Sequence, residues 1–239
     1  MDINEQHIAT AYDRDLEAIQ ARIMKMGGLV EAAILDASES LAERDEEMAE
    51  KVRAGDRAID ELDSLINDEC ARAIAMRQPA AFDLRTLLAV MKISTNLERI
   101  GDYAKNMAKR TGVLVQMSEI EGGNAAIRRM AKAVEVMLKD ALDAFVQRDA
   151  ELAEDVRQRD HEVDLMYNTL FREFLTYMME DPRNITACMH LHFIAKNIER
   201  MGDHVTAIAE QVIYLSTGEK PGSPRPKADR TSVEPIGEM

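Results

Sequence analysis

The sequence predicts an all-α protein: a tandem repeat of two three-helix bundles, six long helices in all, followed by a disordered C-terminal tail. Three observations carry this. Apolar residues recur at helical spacing along most of the 239 residues, while Trp is absent and there are only five Phe and five Tyr, a mix that favours helices over strands. Pro occurs at positions 79 and 182 and then four times in the last nineteen residues, which leaves long stretches without a helix breaker. The two halves are also copies of one another. "RDEEMAEKVRAGDRAID" (Arg44 to Asp60) aligns without gaps to "RDAELAEDVRQRDHEVD" (Arg148 to Asp164), identical at nine of seventeen positions.

The elements follow in order. The first half, residues 1–118, carries helical periodicity from about Tyr12 to Leu41, Met48 to Met76 and Leu84 to Leu114. "EIEGGN" (Glu119 to Asn124) is the junction, an internal Gly-rich break. The second half, 124–215, repeats the pattern over Ile127 to Phe145, Leu152 to Met179 and Ile185 to Leu215. Asp45 and Asp149 stand where a second helix should begin, each with Glu two residues on, as an N-cap and the helix dipole favour. Pro79 and Pro182 open the third helices, where Pro is tolerated. The tail, 216–239, combines four Pro with sparse hydrophobicity and is expected to be disordered.

Composition narrows the function. The formal charge of −14 argues against a nucleic-acid partner and suits cations or basic surfaces. No run of eighteen apolar residues spans a membrane, and the acidic N-terminus lacks the apolar stretch of a signal peptide. Cys70 and Cys188 lack any metal-type spacing and read as buried free thiols. These features predict a cytoplasmic protein.

"NLERIGD" (Asn96 to Asp102) and "NIERMGD" (Asn197 to Asp203) are the informative motifs. Glu98/Asp102 and Glu199/Asp203 each stack two carboxylates on one helix face, where like charges cost about a few tenths of a kcal/mol. A single such pair in an acidic chain signifies a solvated face, but these recur. Asp56/Asp60 and Asp160/Asp164 repeat the spacing on the second helix of each half, at matching distances from Pro79 and Pro182. The pairs should therefore meet across an antiparallel hairpin. On the third helices they lie off the core ridges, which are Ile93, Leu97, Ile100, Ala104 and Met107, and Ile194, Ile198, Met201, Val205 and Ile208.

Four converging carboxylates repel unless a cation joins them, and all-oxygen ligation suits hard ions such as iron, manganese or magnesium. His192 reads as a packing residue in preference to a ligand, and His204 as solvated. Gly101, Gly202 and "MGG" (Met26 to Gly28) mark close approaches, most simply of a neighbouring helix.

"MGGLVE" (Met26 to Glu31), "RQPAAFDLR" (Arg77 to Arg85), "LTYMMED" (Leu175 to Asp181) and the two ExxxD motifs resemble the PhoU family over about Met26 to Tyr214. The resemblance implies a cytoplasmic, usually dimeric protein that binds metal ions through its acidic motifs, here Glu98/Asp102 and Glu199/Asp203. It also implies a negative regulator of phosphate uptake and of the phosphate-starvation response. Such an adaptor stands between the ATPase of an ABC phosphate importer and a membrane sensor histidine kinase. A metal-dependent enzyme of phosphatase or oxidase type is the alternative reading. Near-symmetric sites with no unique general acid, base or nucleophile favour the adaptor, with no catalytic residues.

Overall fold

In the computed structural model, which describes residues 3–77 and 79–222, six helices follow in order. They are α1 (Ile3–Ala42), α2 (Glu46–Arg77), α3 (Ala81–Leu114), α4 (Gly123–Gln147), α5 (Ala150–Glu180) and α6 (Ile185–Thr217), with a 3-10 turn at Pro182–Asn184. No strand occurs among the described residues. The tandem three-helix architecture is as expected.

The helices form because their apolar residues repeat every three or four positions. On α1, Ile19, Ile23, Met26, Val30, Ile34, Ala37 and Leu41 are all buried. Both third-helix ridges predicted from sequence are buried as well. Local chemistry sets the ends. The Asp149 carboxylate accepts from the Glu151 and Leu152 amides, and Asp45 from the Met48 amide, so both predicted caps form. Arg44 and Arg148, equivalent in the repeat, both take a left-handed backbone, with φ of 56° and 55°. That turn aims the Arg44 guanidinium at the carbonyls of Leu114, Val115 and Met117, closing the end of α3.

The bundles are not separate bodies. α1 packs on α4 and α3 on α6, so the four helices share one core, while α2 and α5 lie on the outside. Gly27 serves this seam: a Cβ there would stand 2.3 Å from Leu142 Cδ1 of α4. Close helix packing thus accounts for Gly27, whereas Gly28 faces open space. The helix boundary at the chain's end falls two residues later than expected, because Ser216 and Thr217 still belong to α6 and Gly218 ends it with φ 83°. Ser216 Oγ donates to the Val212 and Arg148 carbonyls, which ties this turn to the α4–α5 connection. The rest of the expected disordered tail, 223–239, lies outside the described residues. No described helix is long and apolar enough to cross a membrane.

Candidate functional site

α2 and α3 run antiparallel, and their contacts set the register. The Ser94 hydroxyl donates to Asp63 Oδ1 at 2.6 Å, and a Cβ on Gly101 would stand 3.0 Å from Ile59 and 3.7 Å from Asp56 Oδ1. Asp60 is thereby level with Glu98, and Asp56 with Gly101 and Asp102. The four acids feel one another. Partial burial raises the Glu98 pKa, and Asp102, Asp60 and Asp63 add to the shift against the opposing Arg99. Asp60 is raised for the same reasons, by burial first and then by Asp56, with Lys105 opposing. So the two pairs of the first half lie at one level of the hairpin, as the residue count about Pro79 predicts.

The second half has the same register. The Asp160 carboxylate reaches the backbone of α6 at Gly202, where a Cβ would stand 2.7 Å from Oδ1. Lys196 of α6 lies over the Tyr167 ring of α5, its Nζ 4.8 Å from the centroid. Between these two contacts Asp164 is level with Glu199. Gly101 and Gly202 therefore admit the neighbouring second helix of their own half. At Gly202 that neighbour is one of the predicted site residues.

Burial departs from expectation. Asp56, Asp160, Asp164 and Glu199 are only 5%, 1%, 3% and 5% exposed, although the sequence placed Glu199, with the other third-helix acids, off the core ridges. Asp56 and Asp160 occupy ridge positions themselves, between Val52 and Ile59 on α2 and between Val156 and Val163 on α5, all buried. Asp60, by contrast, is exposed, and Glu98, Asp102 and Asp203 are intermediate.

Charges this deep need partners, and for Asp56 and Glu199 lysines supply them. Lys105 Nζ donates to Asp56 Oδ2 at 2.5 Å and lies 3.5 Å from Asp102 Oδ1. Lys196 Nζ stands 2.9 Å from Glu199 Oε2. Sequence reasoning passed over both lysines, and Asp63 as well. The available signal was helical: each Lys sits three residues from a motif acid, Lys105 after Asp102 and Lys196 before Glu199.

Two histidines resolve differently. His192 packs among the rings of Tyr167, Phe171 and Phe193, as a packing residue should. His204 is not solvated. It is half-buried between α3 and α6, its Nδ1 2.8 Å from Asn96 Oδ1 and its ring 5.7 Å from that of Tyr103. It was misread because only its own helix was considered, while the second half of the molecule supplies its surroundings. Cys70 and Cys188 are buried free thiols, and burial, with Glu69 adding, pushes Cys70 up to about 12.

Among the described residues, no three His, Cys, Asp or Glu side chains are gathered closely enough to hold a metal. The donor set is nonetheless all-oxygen and partly buried, the ligand chemistry that hard cations take.

The PhoU domain model matches residues 23–111 and 127–212, one copy for each half. The chain belongs to the PhoU family. It is 46% identical over 224 residues to the phosphate-specific transport system accessory protein PhoU homolog of Caulobacter vibrioides, covering 94% of this chain and 97% of that one. The homolog in Rhizobium meliloti is 43% identical over 238 residues, covering 97% and 98%. The crystal structure of PhoU from Pseudomonas aeruginosa superposes with a TM-score of 0.84 at 41% identity, over 87% of this chain and all of that one. Both homologs are named as accessory proteins of a phosphate-specific transport system.

Proposed function

We propose that this chain is a negative regulator of phosphate uptake and of the phosphate-starvation response. It acts as a cytoplasmic homodimeric adaptor between the ATPase of a phosphate ABC importer and a sensor histidine kinase. One observation carries the reading: near full-length similarity to relatives named as accessory proteins of the phosphate-specific transport system, with both halves matched. Deleting the gene should leave phosphate-starvation genes active in high phosphate. Normal repression in the deletion strain would sink the assignment.

In the same reading, Asp56, Asp60, Glu98 and Asp102 hold one hard cation and Asp160, Asp164, Glu199 and Asp203 another. Iron, manganese and magnesium suit this oxygen set. The support is the repeated level placement of the four pairs and the buried Asp56 and Glu199, each paired with a lysine. Elemental analysis of protein purified without chelators is the test. Glu98→Gln with Asp102→Asn should lower metal content by about half, as removal of one of two equivalent sites requires. Unchanged stoichiometry would place the ion elsewhere.

A further inference from the structure

The chain carries 30 Lys and Arg against 44 Asp and Glu, yet α3 and α6 together carry eight basic residues against six acidic ones. Four of those six acids, Glu98, Asp102, Glu199 and Asp203, belong to the positions shared with α2 and α5, and Glu210 lies 3.5 Å from the buried Arg157. What remains for the outer side of the α3–α6 seam is basic. Arg110 meets His190 at 3.3 Å, Asn96 meets His204 at 2.8 Å, and Arg85 lies over the Tyr214 ring at 5.2 Å. The two helices are therefore antiparallel, and this register sets Arg99 level with Arg200.

These two arginines are equivalents in the repeat, so the local two-fold relation between the halves passes between them and turns both to the same side. Both are exposed, and both lie within electrostatic reach of His204. Arg99 has only loose contacts with acids of its own helix, 3.5 Å to Glu98 Oε2 and 3.7 Å to Asp102 Oδ2. Arg200 makes no salt bridge among the described residues. Two guanidiniums level across a helix pair repel.

We propose that the Arg99–Arg200 seam binds a phosphate-type oxyanion. A carboxylate is satisfied by one guanidinium fork, whereas a tetrahedral oxyanion presents separate oxygen pairs to two forks approaching from opposite sides. The site adjoins the first carboxylate cluster through Arg99, whose guanidinium lies beside Glu98 and Asp102. It goes beyond the adaptor reading, which would stand if this site failed.

The test is calorimetric titration of inorganic phosphate into the full chain, with a phosphoserine peptide and acetate as parallel arms at matched ionic strength. Phosphate should bind saturably, about tenfold more weakly in Arg99→Gln or Arg200→Gln, a loss of about 1.4 kcal/mol. Arg200→Lys should weaken it to an intermediate degree, and Arg129→Gln on α4 should leave it unchanged. Circular dichroism confirms that each variant keeps its helices. Binding of the peptide but not of the free ion would assign the phosphate group to a larger molecule, within the same chemistry. No binding in either arm, equal binding of acetate, or unchanged affinity in both Arg variants would overturn the site.

Discussion

The two acidic sites occupy equivalent backbone positions, yet they solve the same electrostatic problem from opposite flanks. In the first half the cation is Lys105, one turn after the motif, bound to Asp56 of the neighbouring helix. In the second it is Lys196, one turn before the motif, bound to Glu199 of its own helix. The exchanged positions are informative. Thr206 stands where Lys105 would repeat, its hydroxyl donating to the Asp203 carbonyl, and Thr95 stands where Lys196 would, its hydroxyl donating to the Met91 carbonyl. Asp63, a fifth acid in the first half, becomes Tyr167, the ring beneath Lys196. What the halves share is the placement of carboxylates and the need for one positive charge. The side from which that charge arrives is free to vary.

Removing the lysines is the severest way to break this comparison. Stripping a buried carboxylate of its partner costs about 3–5 kcal/mol when both groups are buried. Lys105 and Lys196 keep 41% and 29% of their side chains exposed, so solvent screens part of the loss. Lys196→Met should cost about 2 kcal/mol in denaturant unfolding and Lys105→Met somewhat less, both measured without metal. If a hard cation takes the place of each ammonium, added metal should restore more stability to these variants than to the parent. Equal recovery would show that lysine and metal do not compete.

The glycines come next. Gly202→Ala brings a methyl group to 2.7 Å from the oxygen of Asp160, a short side chain with little room to retreat. Overpacking of about 1–3 kcal/mol then outweighs the roughly 1 kcal/mol that Ala gains over Gly within a helix. At Gly101 the nearest atoms are Cδ1 and Cγ2 of Ile59, at 3.0 and 3.3 Å, a milder overlap that a shift of a few tenths of an ångström relieves. Gly101→Ala should therefore be close to neutral. Thermal melts of the two variants side by side would show it, and equal destabilisation would mean that the first half packs as tightly as the second.

Much of this was legible in the chain. Apolar periodicity, the Asp45 and Asp149 caps and the internal repeat define six helices, because each is a local property or a comparison of the sequence with itself. The level placement of Asp60 with Glu98 followed from counting residues on either side of Pro79, since two antiparallel helices of equal rise must match. What the sequence did not disclose depends on a third element. The burial of Asp160 requires α6 against it, at Gly202. The enclosure of His204 requires α3, and the closure of α3 by Arg44 requires a left-handed turn that Arg seldom adopts. Lysine as the counter-ion was missed because Lys105 and Lys196 each lie outside the ExxxD motif they serve.

The smallest effect discriminates the two motif glutamates. Glu98 is partly exposed, and burial, Asp102, Asp60 and Asp63 raise its pKa. A carboxyl whose folded pKa exceeds its unfolded value stabilises the fold only in acid, and that contribution is lost as pH rises through the folded pKa. At neutral pH the ionised Glu98 therefore opposes folding of the metal-free chain. Glu98→Gln should raise stability at pH 7 by about a few tenths of a kcal/mol, the scale of a like-charge pair on a helix face. The advantage should shrink as pH falls below the folded pKa, where the parent is itself protonated. Glu199 differs: it is buried and forms an ion pair with Lys196, so Glu199→Gln removes the negative charge beside that ammonium and should lower stability at pH 7. Chemical unfolding of both variants at pH 7 and again near pH 4 checks this. Opposite signs at neutral pH would establish that the two motifs, though nearly identical in sequence, sit in different electrostatic surroundings. Equal signs would mean that the lysine exchange has no energetic consequence.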